Sequence, residues 1–203
     1  MQIDVLCQSC GHAHKAEYYG NINIAEHPEL KTAVLDGSLF TWQCEQCGQN
    51  NLLHYPLVYH DPQQMLMYWV SPSEKDIERI KPVIEGATQL SDYQLRIIDS
   101  PGELIEKIKI HSYGLDDLAM EICKYVTCNE LEKDVELRFL QLDGSDSDLI
   151  LTYPSSEQNM EMIAVGMNVY EDACAILSRN PEIKNAARGL VRVGPDLIKR
   201  FFR

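Results

Sequence analysis

Apolar positions along this chain follow two periods. Leu115, Leu118, Ala119, Ile122, Cys123 and Val126 are spaced as one face of a helix. Upstream, Ser100-Pro101-Gly102-Glu103 reads as a helix start, with Ser as N-cap, Pro in the first turn and Glu completing a capping box. Leu104, Ile105 and Ile108 continue it as an apolar stripe, and Gly114 should stop it. Residues 28–35 read as a short helix closed near Gly37. Pro72-Ser73-Glu74 opens a polar amphipathic helix that Pro82 should end or kink and Gly86 should stop.

Runs rich in aromatic and β-branched residues predict strands over 17–24, 39–43, 52–60, 65–70 and 93–98, with Asp61-Pro62 as a turn. Near the C-terminus, 135–142 and 149–153 flank the polar run 143–148 as a hairpin, and 160–165 is a third strand. Helices follow over 168–178, with Asn168 and Glu171 as a capping box, then 183–191 and 196–202.

This order predicts an α+β fold: an N-terminal unit with antiparallel strands, a helical layer, and a C-terminal α+β unit. The corresponding divisions are 1–72, 73–133 and 134–203. No stretch approaches the roughly 18 consecutive apolar residues of a membrane helix. The start, Met1-Gln2-Ile3-Asp4, lacks the basic-then-apolar pattern of a signal peptide, so a cytoplasmic protein with no membrane partner is expected.

Charge narrows the partners. Thirty-one acidic against eighteen basic residues give −13. Residues 1–72 carry seven acidic and two basic residues, a net of −5. Such a field repels phosphate backbones and makes nucleic acid an unfavourable partner. The exception is 182–203, with six basic residues against two acidic ones, where Arg188, Arg192, Lys199 and Arg200 could form a basic face.

Seven cysteines in a chain without an export signal should be reduced. Four of them form two copies of C-x-x-C-G: Cys7-Gln8-Ser9-Cys10-Gly11 and Cys44-Glu45-Gln46-Cys47-Gly48. Two intervening residues let the chain turn so that both thiolates meet one ion at about 2.3 Å. The following Gly can adopt the positive φ that closes the turn. Two such knuckles make a four-sulfur site, which predicts one structural Zn²⁺ per chain at Cys7, Cys10, Cys44 and Cys47 and makes the N-terminal unit, 1–72, a zinc ribbon with antiparallel strands. The 33 residues between the pairs exceed the usual spacing, which an inserted strand–helix–strand would accommodate. His12 and His14 lie beside the first knuckle as substitute ligands or neighbours of the site.

Other constellations fit catalysis less well. His27-Pro28-Glu29 before Cys44-x-x-Cys47 imitates the zinc deaminase pattern, but residue 43 is Gln where that pattern has Pro, and Cys7 and Cys10 would be left without a purpose. His54, His60 and Asp61 could form a second site, with partly buried strand histidines as the simpler reading. Cys123, Cys128 and Cys174 read as packing residues. The run from Asp143 lacks the Gly and Glu that a calcium loop requires.

The cysteine pairs and their context resemble the CpXC domain family of bacterial and archaeal proteins. The similarity is carried by Ile22-Asn23-Ile24 through Leu30, Leu35-Asp36-Gly37-Ser38-Leu39-Phe40, the second knuckle, and Tyr55-Pro56-Leu57-Val58-Tyr59-His60-Asp61. Arg96-Ile97-Ile98, Glu103 through Ile108 and Gly114-Leu115-Asp116-Asp117 extend it, so that roughly 1–130 is involved, with 1–133 as the CpXC-like region. Gln8 and Glu45 stand where the family often has Pro, which stiffens a knuckle but holds no metal. The resemblance implies a zinc-binding α+β protein and brings no catalytic residue. The expected function is therefore an interaction or scaffold role with protein partners. The alternatives are an enzyme with a pocket assembled from dispersed residues, or a nucleic-acid-binding ribbon.

Overall fold

The computed structural model describes residues 1–144, 148–156 and 159–202. It divides into two compact units, Met1–Ile105 and Glu106–Arg203. Both mix helices with strands, as the sequence pattern predicts.

In unit one the chain runs β1 (Gln2–Leu6), β2 (Ala13–Glu17), β3 (Asn21–Asn23), α1 (Glu29–Leu35), a 3-10 turn (Ser38–Phe40), β4 (Thr41–Gln43), β5 (Asn50–Leu52), β6 (Leu57–Asp61), β7 (Leu66–Val70), α2 (Glu74–Glu85), a second 3-10 turn (Thr88–Leu90) and β8 (Gln94–Ile98), and it enters α3 (Pro101–Ser112). β1 with β2 and β4 with β5 are separate antiparallel hairpins. The remaining strands form a four-stranded sheet in the order β3-β6-β7-β8. Only its central β6–β7 pair is antiparallel; β3–β6 and β7–β8 are parallel. Parallel neighbours need a crossover rather than a tight turn. α2 supplies one crossover. The other carries α1 and the whole β4–β5 hairpin.

These crossovers explain several departures from the sequence expectation. The run 17–24 is not one strand, because the chain leaves β2 and joins the sheet at β3. The run 52–60 breaks between β5 and β6 at Pro56, whose nitrogen cannot donate to a ladder. The run 39–43 begins as a 3-10 turn that buries Phe40. α2 continues past Pro82 to Glu85 and ends at Gly86, so the proline costs its own N–H bond without ending the helix. A reciprocal Ser73–Asp76 capping box starts α2. At α3, Ser100 Oγ accepts from the Glu103 amide at 3.2 Å, but the Glu103 carboxylate reaches back to the Asp99 amide at 2.9 Å rather than to Ser100.

Unit two begins within α3 and continues through α4 (Asp117–Glu130), β9 (Arg138–Asp143), β10 (Asp148–Pro154), β11 (Met160–Val165), α5 (Met167–Arg179), α6 (Pro181–Ala186) and α7 (Pro195–Ile198). Its sheet is antiparallel in the order β11-β10-β9, so the expected hairpin is present. Residues 145–147 of its connection, on which the calcium-loop comparison partly falls, lie outside the described residues. α5 starts at Met167 with Gly166 as N-cap and no side-chain cap, which corrects the Asn168–Glu171 capping box. The buried Tyr170 instead ties α5 to the start of α4, its hydroxyl accepting from the Asp116 amide at 2.7 Å. α6 and α7 are shorter than expected, and each opens with a proline in its first turn.

The apolar core of unit two includes Leu118, Ile122, Phe139, Leu149, Leu151, Leu177 and Ile198. Cys123 lies within it, and Cys128 and Cys174 pack against it, as expected of packing residues. Five charged side chains are also buried here: Glu106, Lys107, Asp117, Glu121 and Lys124. Lys107 Nζ lies 3.2 Å from Asp117 and 3.4 Å from Glu121, and donates to the Val193 carbonyl at 2.7 Å. Lys124 Nζ lies 2.9 Å from Glu106 and 2.7 Å from Glu121. Burial opposes the Lys124 charge, but these two carboxylates outweigh it and push its pKa up.

Candidate metal centre

Each C-x-x-C-G segment caps one hairpin. The last register pair of the first hairpin is Leu6 with Ala13, and that of the second is Gln43 with Asn50. Within the first turn the Cys7 amide donates to the His12 carbonyl at 2.9 Å, and the Gly11 amide to the Cys7 carbonyl at 2.9 Å. The second turn repeats both bonds, Cys44 to Gln49 at 2.9 Å and Gly48 to Cys44 at 2.8 Å. Gly11 and Gly48 both have φ of 71°, where a side chain would be strained.

The two turns bring their sulfurs together. The Sγ atoms of Cys7, Cys10, Cys44 and Cys47 all lie within 4.8 Å of one another. The close contacts run between the knuckles: Cys7 to Cys47 at 3.6 Å and Cys10 to Cys44 at 3.7 Å. A tetrahedral ion with bonds of about 2.3 Å needs sulfur–sulfur edges of about 3.8 Å. The residues present therefore fit a four-coordinate metal. Among the described residues this is the one cluster of three or more histidines, cysteines or carboxylates that could hold an ion.

The first cysteine of each pair is buried and the second exposed. Burial, the largest influence on Cys7, opposes its thiolate. The amides of Cys10 and Ser9, with contacts from Cys47 and Asn51, outweigh it and lower the pKa to about 6. At Cys10 the His12 amide favours the thiolate, yet burial and the three other sulfurs push the pKa up to about 12. All four could be thiolates together only with a cation among them to offset the mutual repulsion.

Neither nearby histidine offers a ring nitrogen to this cluster. The His14 ring stacks on Trp42 at 4.6 Å with the planes 3° apart, while His12 contributes its carbonyl to the first knuckle. Asn51, which the sequence reading missed, sits on β5 only 6% exposed and reaches both knuckles. A lone Asn in a strand carries no signal of such a role.

The other candidate constellations separate. His27 and Glu29 pair with each other at 3.2 Å on the surface. His54 is exposed in the segment before β6, His60 meets the Tyr93 hydroxyl at 3.2 Å, and the buried Asp61 is bound by Lys31 at 2.9 Å. These three residues form no metal-binding group. Unit two contains a cavity of about 320 Å³ walled by Tyr125, Cys128, Val135 and Leu137. The two buried charged residues lining it, Glu121 and Lys124, are paired with each other. Arg188, Arg192, Lys199 and Arg200 are all exposed in unit two. Among the described residues no helix is long and apolar enough to cross a membrane.

No curated protein and no solved structure matches the chain. The family described as CpXC protein matches residues 5–124, which takes in both knuckles, the four-stranded sheet, α3 and the first half of α4. That match covers more than half of the sequence and includes all four clustered cysteines, and the chain belongs to the CpXC family.

Proposed function

We propose that this is a zinc-binding interaction or scaffold protein, with one structural Zn²⁺ held by Cys7, Cys10, Cys44 and Cys47. The observation that carries the reading is the convergence of four sulfurs from two matched turns at tetrahedral edge lengths. An all-sulfur tetrahedral set suits zinc, and four protein ligands leave no position for a reacting water. The metal would cross-link the two hairpins and neutralise their thiolates.

An interaction role is supported by the surface of the ribbon. Leu6 on β1 and Leu52 on β5 are 67% and 68% exposed, on the strands that carry the knuckles. The electrostatics favour a protein partner over nucleic acid. The ribbon region has two lysines, Lys15 and Lys31, and the second is occupied by Asp61.

Metal analysis of protein purified without added zinc tests the site, with one zinc per chain expected. Zinc near zero, or four freely reactive thiols in the native protein, would overturn it. Co-purification with a stoichiometric protein partner tests the interaction role. A Leu6→Glu, Leu52→Glu variant should retain zinc and lose that partner. Retention of the partner would remove this surface from the proposal.

A further inference from the structure

The two hairpins are copies of one unit, displaced by 37 positions. Cys7, Cys10 and Gly11 correspond to Cys44, Cys47 and Gly48, and the cross-strand pair Val5–His14 corresponds to Trp42–Asn51. The copies differ in how the residue after the knuckle is used. His14 turns its ring onto Trp42 of the other hairpin. Asn51 instead uses its amide on the knuckles. Its Oδ1 accepts from the Gln8 amide, between the first two cysteines, at 3.0 Å. Its Nδ2 donates to the Gln49 carbonyl at 2.9 Å and lies 3.6 Å from Cys7 Sγ.

We propose that Asn51 is the positioning residue of the metal centre: its buried amide sets the register between the two knuckles and makes Cys7 the sulfur held by a side-chain donor. This assignment rests on the four-cysteine metal reading. The argument is one of valence. A primary amide has two N–H donors and an acceptor oxygen. Here the oxygen fixes one turn, one donor direction fixes the other turn, and the amide nitrogen also reaches a ligand sulfur. No apolar or purely accepting side chain can do all three. A hydrogen bond to a thiolate withdraws charge from the sulfur and orients it, as groups behind metal ligands generally do. Among the described residues, the side-chain neighbours of Cys44 Sγ are the other sulfurs of the cluster, Cys10 at 3.7 Å among them, so the related ligand in the second copy has no side-chain N–H donor. The site is thus a repeat with one deliberately unequal position.

Two substitutions separate this from a packing role. Asn51→Leu keeps the branched shape with a somewhat larger side chain and removes all three contacts. Asn51→Asp keeps the shape and the acceptor for Gln8, but it loses the donors and faces the sulfur with a carboxylate. Trp42→Phe is the control, because it alters the hairpin contact and leaves the amide in place. Full-length protein is loaded with Co²⁺ alone, and the sulfur-to-cobalt charge-transfer band and the rate of metal transfer to a chelator are measured. Both Asn51 variants should lose metal about 10- to 100-fold faster than wild type. Their band should move to lower energy, with Asn51→Asp moving further, and Trp42→Phe should leave the band in place. Wild-type protein that binds cobalt, together with Asn51 variants matching it in band and release rate, overturns the assignment alone. A band moved equally by Trp42→Phe would show a packing effect and overturn it as well. Wild-type protein that takes up no cobalt overturns the metal reading, and this assignment with it.

Discussion

Both units withdraw polar groups from water, and they resolve the cost in opposite ways. Unit one gathers four sulfurs at one end of two short hairpins, half exposed and short of positive charge. Unit two encloses Glu106, Lys107, Asp117, Glu121 and Lys124, cations and anions already matched by distance. The sulfur cluster has the geometry to hold an ion supplied from outside the chain. The ionic cluster is closed within the chain. One half should therefore depend on solution metal and the other should ignore it.

The largest effect should come from breaking the first half. Formation of a structural zinc site is worth about 10–16 kcal/mol near neutral pH, against a typical domain stability of about 5–15 kcal/mol. Cys44→Ser should abolish metal binding and expose the amides of both hairpins to hydrogen exchange, while unit two keeps its protection. Wild-type exchange in β1, β2, β4 and β5 of that variant would show that metal does not hold the ribbon. Cys123→Ala, in the core of unit two, should lose packing only and leave the metal content unchanged.

Next in size is Lys107→Met. It takes from Asp117 and Glu121 a cation whose side chain is fully buried. Breaking a buried pair from one side costs about 3–5 kcal/mol. The denaturant midpoint of unit two should fall, with zinc still one per chain. An unchanged midpoint would mean that the network contributes little.

How much of this was legible follows from which contacts are local. The knuckles could be read because four residues and a glycine specify each turn. The parallel pairing of β3 with β6 could not, since periodicity reports a strand and not the neighbour it finds across a crossover. The apolar face of α4 was legible from the helical spacing of Leu118, Ile122 and Val126, yet every residue from Asp117 to Lys124 is buried. Its charged face is covered because partners on α3 neutralise it, and that matching depends on tertiary contact. Asn51 was invisible for the same reason, as its partner Gln8 lies 43 residues away.

A smaller effect is expected at α2. Ser73→Ala removes an N-cap worth about 1 kcal/mol. Hydrogen bonding from Ser73 lowers the Asp76 pKa below its ordinary 3.8. A carboxylate with a depressed folded pKa stabilises the fold above its unfolded pKa, and that contribution is lost as pH falls through the folded value. Helix protection should therefore weaken below about pH 4 in wild type, and Ser73→Ala should flatten that dependence. An identical acid profile in the variant would contradict the role of the cap.

The smallest expected signal is in nucleic-acid binding. A mobility-shift titration at low salt should show none for the ribbon. Salt-sensitive binding that Arg188→Glu with Arg192→Glu removes would instead assign a nucleic-acid surface to unit two.

The second knuckle sits inside the crossover between β3 and β6, and that has a consequence for how the chain folds. Without a cross-link, pairing Asn21 with Val58 closes a loop of 37 residues. With the knuckles joined, the path is eleven residues back to Cys10 and eleven onward from Cys47. Loop-closure entropy varies only with the logarithm of length, so this shortening is worth about 0.5 kcal/mol. Metal would thus speed the search for the sheet only slightly. The sheet must be found by its own buried side chains, Ile22, Tyr59, Leu66 and Tyr68 among them, and the order in which metal and sheet form is left free.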